Sequence, residues 1–262
     1  MSGKTTEDIL LLIQSAEREA AELMLHARKI LAEMKTGARD VVTEYDRRVQ
    51  ELLIRRLKEA LPEAMFFCEE NMRQDDLSAE TVFIIDPIDG TMNFVHGFHH
   101  SCISVAYMSR GRVLAGAIYN PYMDEMFTAL KGGGAFLNGK PIRVTDAPLS
   151  ESVVCCGTTP YDPDMAERGF ELMKKAFLAS LDLRREGAAA LDLCSAAAGR
   201  AGAYFELRVC LWDFAAGALI TEEAGGVCTT VEGAPLPYDG SRTSILAGSR
   251  QALDALLEIF GG

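Results

Sequence analysis

The 262-residue chain has no apolar run near the roughly 20 residues that a membrane-spanning helix needs. Its longest early run, Ile9 to Ile13, follows Glu7 and Asp8 and is too short for a span or a secretory leader. A cytoplasmic protein with no membrane partner is therefore the expectation. Excess positive charge is also missing. The formal net charge is −12, so the chain lacks the basic footprint of a nucleic-acid binder, and no nucleic-acid partner is expected. The seven cysteines (Cys68, Cys102, Cys155, Cys156, Cys194, Cys210 and Cys228) show no C-x-x-C spacing. None of the four histidines is spaced with them as zinc ligands are, so free thiols in apolar surroundings are expected. Internal repeats, low-complexity stretches and flexible linkers are absent. The glycine-rich GGGAFLNGKPI has no G-K-[ST] ending and no helical pattern after it, which excludes a P-loop. No serine or cysteine nucleophile motif is visible.

What is there suits a globular protein with a sizeable core: 48% hydrophobic and 24% charged residues. One compact unit of two halves is expected, 1–147 and 148–262, with the boundary at Ala147–Ser150. Apolar residues every three to four positions predict one long helix over 5–36, opened by Thr5 with Asp8 as a capping box. Thr43 reads as the N-cap of a second helix over about 44–61. Strands are expected at 65–71, 82–85, about 102–109 and 112–119 around an SRGR turn, about 125–130, and Val153–Cys156. Helices follow at about 163–179 and, after a short strand, about 188–198. A strand ending at Glu206, a helix begun near Asp213 and a last helix at about 249–260 complete an α/β or α+β pattern. His96, His99 and His100 read as loop or surface histidines.

The chemistry concentrates in VFIIDPIDGTMNF, residues 82–94. An apolar strand runs into Asp86 and Asp89, two carboxylates three positions apart. Carboxylates at the end of a buried strand are costly unless a cation balances them, and Mg²⁺ suits an oxygen-only donor set that includes the Ile88 carbonyl. Gly90 and Thr91 open a helical turn whose unpaired N–H groups favour a phosphate. Asp46 by itself reads as a first-turn aspartate favoured by the helix dipole, Asp213 as an ordinary helix cap, and Glu206 as a strand-end charge.

DPIDGTMNF resembles the D-P-I-D-G-T-x-N-F signature of the inositol monophosphatase family, among the Mg²⁺-dependent, Li⁺-sensitive phosphatases. The resemblance runs over nearly the whole chain. DVVTEYD is similar to the family's D-L-V-T-x-x-D, FFCEEN to F-[IL]-G-E-E-S, REGAAALDL to R-x-x-G-S-A-A-L-D-L, and WDFAAGALITEEAGG to W-D-x-A-A-G-x-L-[IL]-x-x-E-A-G-G. Cys68 and Asn71 stand where the family has Gly and Ser, and Ala188 where Ser or Thr is common. The resemblance implies a layered α/β/α/β/α fold with two mixed sheets and a homodimer. It implies two or three Mg²⁺ ions per site. Glu69, Asp86 and the Ile88 carbonyl would hold one, and Asp86, Asp89 and Asp213 another. Lys35 would lie near the metal site. Thr91, oriented by Asp46, would be catalytic together with Glu69. Gly90, Thr91, Asp89, Ala189, Glu206 and Asp213 would contact the substrate. The implied reaction is hydrolysis of a small phosphorylated polyol or sugar, inositol monophosphate first, by metal-activated water. Fructose-1,6-bisphosphate is the alternative, nucleotide 3′-phosphates and histidinol phosphate rank lower, and a catalytically silent protein-binding member is a remote reading.

Overall fold

Thr5 caps the first helix: its hydroxyl accepts the Asp8 N–H at 3.2 Å, and the Asp8 carboxylate accepts the Thr5 N–H at 2.9 Å. Helix α1 spans Thr6–Leu25 in the computed structural model, which describes residues 4–28, 30–34, 41–70, 76–160 and 162–261. The helix is shorter than the apolar spacing predicts. The Arg28 N–H, which a continuing helix would bond to Met24, goes instead to the Tyr45 hydroxyl at 2.9 Å, and that hydroxyl donates back to the Arg28 carbonyl at 3.1 Å. Ala32–Met34 (β1) then pairs antiparallel with Val41–Thr43 (β2). Ala27 and Ile30 still pack on the core that α1 covers, so their spacing persists without a helix. Lys35 and Asn71 lie outside the described residues. Helix α2, Glu44–Ala60, begins as expected at Thr43.

The first sheet has seven strands in chain order: β3 (Met65–Cys68), β4 (Val82–Asp89), β5 (Cys102–Ser109), β6 (Arg112–Asn120), β7 (Glu125–Leu130), β8 (Gly134–Leu137) and β9 (Lys140–Pro141). β3 and β4 are parallel and the other pairs antiparallel. Arg110 (φ 51°) and Gly111 (φ 75°) form a two-residue turn of the hairpin-favouring hand between β5 and β6. The short β8 and β9 have no counterpart in the sequence expectations. Helix α3, Thr91–His96, follows β4.

The second sheet is also mixed. Its order is β11 (Asp182–Arg184), β10 (Val153–Cys156), β12 (Ala203–Val209), β14 (Thr243–Gly248) and β13 (Val227–Thr229). β12 does not stop at Glu206. Buried Leu207 and Val209 hold the chain in the sheet, and its register against β14 shifts between Glu206 and Val209. The remaining helices are α4 (Ala166–Ala179, after a 3₁₀ turn at Pro163–Met165), α5 (Ala189–Ala197), α6 (Leu211–Glu223) and α7 (Arg250–Gly261).

Period-two side chains set the layers. Along β4, Phe83 and Ile85 face the core covered by α1 and α2, while Val82 and Ile84 face the core shared with α5 and α6. Along β12, Tyr204 enters that shared core, and Ala203, Phe205 and Leu207 face the core beneath α4 and α7. The order is therefore α1/α2, seven-stranded sheet, α5/α6, five-stranded sheet, α4/α7, which is the expected α/β/α/β/α layering with two mixed sheets. The middle helices belong to the second half of the chain but pack on strands of the first.

Candidate active site

Several chain ends meet where the parallel strands β3 and β4 finish and the middle helices begin. Glu69 follows β3. Its neighbour Glu70 is fixed by Gln50 of α2, whose amide donates to the Glu70 carbonyl at 2.8 Å and accepts the Glu70 N–H at 3.0 Å. Asp86 and Asp89 end β4, only 2% and 8% exposed. Between them the pairing with β5 slips register, so the two carboxylates escape strict strand alternation. Asp213 lies in the first turn of α6.

Each of these aspartates is anchored by a backbone amide. The Ile88 N–H donates to Asp86 Oδ1 at 3.1 Å, the Ala190 N–H in the first turn of α5 to Asp89 Oδ2 at 2.7 Å, and the Cys210 N–H to Asp213 Oδ2 at 2.6 Å. A carboxylate has about four lone-pair sites, so one amide leaves acceptor capacity over.

The acids repel one another. Burial pushes Asp86 well above the usual carboxylate range, and Glu69, Asp89 and Asp213 push it further. Asp213 is likewise held well above it, by burial first and then by Asp89, against the Cys210 amide. Asp89 is also raised by burial; the Ala190 amide opposes the shift, and Glu69 and Glu206 add to it. As the side chains lie, no three acidic, imidazole or thiol groups among the described residues form a set that could hold a metal ion. The donor chemistry nevertheless fits a hard divalent cation. All donors are oxygen, Asp86 and Asp89 are buried and Glu69 and Asp213 half-buried, and their mutual repulsion is what such a charge removes.

Thr91 and Asp46 meet across 45 residues of sequence. The Thr91 hydroxyl lies 3.2 Å from Asp46 Oδ1 and 3.0 Å from the Ile88 carbonyl, two acceptors for its one proton. Asp46 Oδ2 takes the Thr43 N–H at 2.8 Å and the Thr43 hydroxyl at 2.5 Å. Asp46 is therefore both the helix-capping residue that its position suggests and the partner of Thr91. Gly90, at φ 82°, has the left-handed backbone glycine favours; a side chain there would meet the His100 carbonyl at 3.0 Å and the Ala188 side chain at 3.1 Å.

Glu206 closes the far wall. It accepts the Tyr204 hydroxyl at 2.8 Å and the Thr159 N–H at 2.9 Å. Thr159 holds φ 45°, a left-handed backbone rarely taken by a β-branched residue, and in doing so aims its N–H at Glu206. Burial raises Glu206, against these donors. Ala189, at the start of α5, stands beside Asp89. The structure thus brings together Asp46, Glu69, Asp86, Ile88, Asp89, Gly90, Thr91, Ala189, Glu206 and Asp213. Sequence reasoning missed Asn93, whose amide donates to the His100 and Glu186 carbonyls, each at 2.7 Å, and ties the signature to the approach to α5. Its place inside DGTMNF was the available signal. His100 lies in the loop after α3, in keeping with the expected loop or surface histidines; it is half-buried, with Nε2 3.3 Å from Glu186. All seven cysteines are free.

This fold is that of a phosphatase family. The family described as the inositol monophosphatase family matches residues 6–260. The chain is 36% identical over 250 residues to the putative Nus factor SuhB of Neisseria meningitidis, covering 93% of this chain and 94% of that one. It is 38% identical over 213 residues to the fructose-1,6-bisphosphatase/inositol-1-monophosphatase of Thermotoga maritima, with 80% of each covered. The crystal structure of extragenic suppressor protein suhB from Bartonella henselae superposes with a TM-score of 0.89 at 32% identity, over 96% of this chain and 98% of that one. The chain belongs to the inositol monophosphatase family.

Proposed function

We propose that the chain is a Mg²⁺-dependent phosphomonoesterase whose preferred substrate is inositol monophosphate. The carrying observation is the pairing of Thr91 with Asp46 beside four mutually repelling carboxylates. Glu69, Asp86, the Ile88 carbonyl, Asp89 and Asp213 would hold two or three Mg²⁺ ions, which supply a nucleophilic water at neutral pH and charge stabilisation on the phosphoryl group. Thr91 donates its one hydrogen bond to Asp46 or to the Ile88 carbonyl, so its oxygen keeps lone pairs to accept a hydrogen bond from the attacking water, and as that water loses its proton to Thr91 the Thr91 proton would pass to the Asp46 carboxylate. Asp46 is locked by Thr43 and cannot turn away. The Gly90 and Thr91 amides receive phosphate oxygens, while Asp89, Asp213, Ala189 and Glu206 receive the alcohol. Fructose-1,6-bisphosphate is the alternative substrate. A cytoplasmic homodimer belongs to this reading as its expectation. No helix among the described residues is long and apolar enough to cross a membrane.

A second reading has a specific support: a similar relative carries the name Nus factor. On that reading the chain acts through protein contacts, with or without catalysis. The test is phosphate release from inositol 1-phosphate, fructose-1,6-bisphosphate, adenosine 3′,5′-bisphosphate and histidinol phosphate, with and without Mg²⁺. Mg²⁺-dependent preference for inositol 1-phosphate is expected. Preference for another ester replaces the substrate and keeps the chemistry. Folded, Mg²⁺-binding protein that releases no phosphate moves the assignment to the protein-binding role.

A further inference from the structure

Tyr204 and Glu206 stand two residues apart on β12, so the alternation of the strand sends both side chains into the same layer. The Tyr204 ring is fully buried there, among the residues packed around α5 and α6, and a phenol so placed needs a partner for its hydroxyl. It donates to Glu206 Oε2 at 2.8 Å. The other carboxylate oxygen, Oε1, takes the Thr159 N–H at 2.9 Å and, more loosely, the Thr159 hydroxyl at 3.4 Å. Gly157 completes the seat. Its N–H donates to the Phe205 carbonyl at 2.9 Å, which draws the end of β10 alongside Glu206, and an added Cβ at Gly157 would overlap the Glu206 carboxyl group.

Any acceptor in the core would satisfy the phenol, but the one it has is the half-buried carboxylate on the alcohol side of the site. Among the groups that favour the charged form of Glu206 against its burial, the Tyr204 hydroxyl comes first, ahead of the Thr159 amide and the pull of Arg185. A carboxylate has about four lone-pair sites, so acceptor capacity is left over, and the fixed donors decide which way it points. A glutamate already held in place loses less freedom when a hydroxyl binds to it.

We infer that Tyr204 is a positioning residue for specificity: it locks Glu206 so that the carboxylate receives a hydroxyl next to the ester, which favours polyol phosphates over esters whose leaving group carries no further hydroxyl. The inference rests on the phosphatase reading and on Glu206 facing the alcohol. It assigns part of the selectivity to a side chain buried behind the carboxylate.

The test compares inositol 1-phosphate with 4-nitrophenyl phosphate, whose leaving group offers Glu206 no hydroxyl, both with Mg²⁺. Tyr204→Phe removes one oxygen and keeps the ring in the core. It should raise KM for inositol 1-phosphate about five- to tenfold with kcat within about twofold, and leave both constants for 4-nitrophenyl phosphate within about twofold. The second ester counts the folded, competent sites in each variant. Glu206→Ala should raise KM for inositol 1-phosphate at least as much, and Tyr204→Phe added to it should raise KM no further, because the tyrosine acts only through that carboxylate. Equal losses on both esters would mean that Tyr204 serves the fold alone, which overturns the inference. An unchanged KM in Tyr204→Phe, or a further rise when it is added to Glu206→Ala, overturns it too and leaves the phosphatase reading standing. Wild-type protein that releases phosphate from neither ester refutes that reading, and the inference with it.

Discussion

Glu17 and the site aspartates are both buried carboxylates, and they are built in opposite ways. Glu17 lies on α1, fully buried, and neither oxygen has a hydrogen-bond partner among the described residues. Burial drives it well above the usual range, and only Arg18 pulls against that. Asp86 and Asp89 are nearly as dry and Asp213 is half-buried, yet each is aimed by a backbone amide, and each has other acids beside it. Burial alone therefore does not mark a site. An acid held by a fixed donor, with acceptor capacity left and like charges near it, is arranged for a cation. An acid with no donor is a local cost.

The sharpest way to break this comparison is Asp89→Asn. Phosphate release should fall by about 10³-fold or more, the scale of losing a main electrostatic contribution, while circular dichroism stays native. Near-normal turnover would remove Asp89 from the site. Thr91→Ala comes next: kcat should drop about 10²-fold with KM nearly unchanged, as expected for a group that handles a proton in the transition state. A change confined to KM would make Thr91 a binding residue. Third, Mg²⁺ at about 100 times its Kd should stabilise the wild type by about 2.7 kcal/mol, a rise of roughly 5–10 °C in Tm, and should do so far less in Asp213→Asn. Li⁺ should inhibit the Mg²⁺-supported reaction; complete insensitivity would place the chain outside the lithium-sensitive group.

The smallest effect belongs to Glu17. Glu17→Met should stabilise the protein by about 1–3 kcal/mol in urea unfolding near pH 7, because it removes a buried group with no partner. The pH dependence has a definite sign. With its folded-state pKa raised, Glu17 holds its proton more tightly in the fold than in the unfolded chain. Its favourable share is complete below the ordinary carboxylate value and is lost as pH climbs through the raised one. The variant should lose that downward slope. Equal stability of the two proteins across the range would show that Glu17 does find a partner.

Much of the fold could be read from periodicity, because β4, β5, β6 and β12 each send alternate residues to different cores. The residue pattern placed Asp86 and Asp89 beside a turn, and the family signature grouped them with Asp46, Glu69 and Asp213, which lie far apart in the chain. What stayed hidden came from contacts that spacing does not encode. The end of α1 is decided by Tyr45 taking the backbone groups of Arg28, while Ala27 and Ile30 keep a helical spacing. Asn93 reaches a carbonyl 93 residues away.

The anchoring of Asp89 on Ala190 and of Asp213 on Cys210 has a consequence for how the protein opens. Both amides sit at the starts of helices enclosed between two sheets, α5 and α6. No local fraying releases them, so their protons should exchange with deuterium only when the whole molecule unfolds. The same burial forbids division of labour between fragments. Residues 1–147 carry Asp89 but not the helix that aims it, and residues 148–262 carry that helix with one face stripped of its sheet. Cut there, the chain should yield two pieces that neither keep their structure nor share out the site.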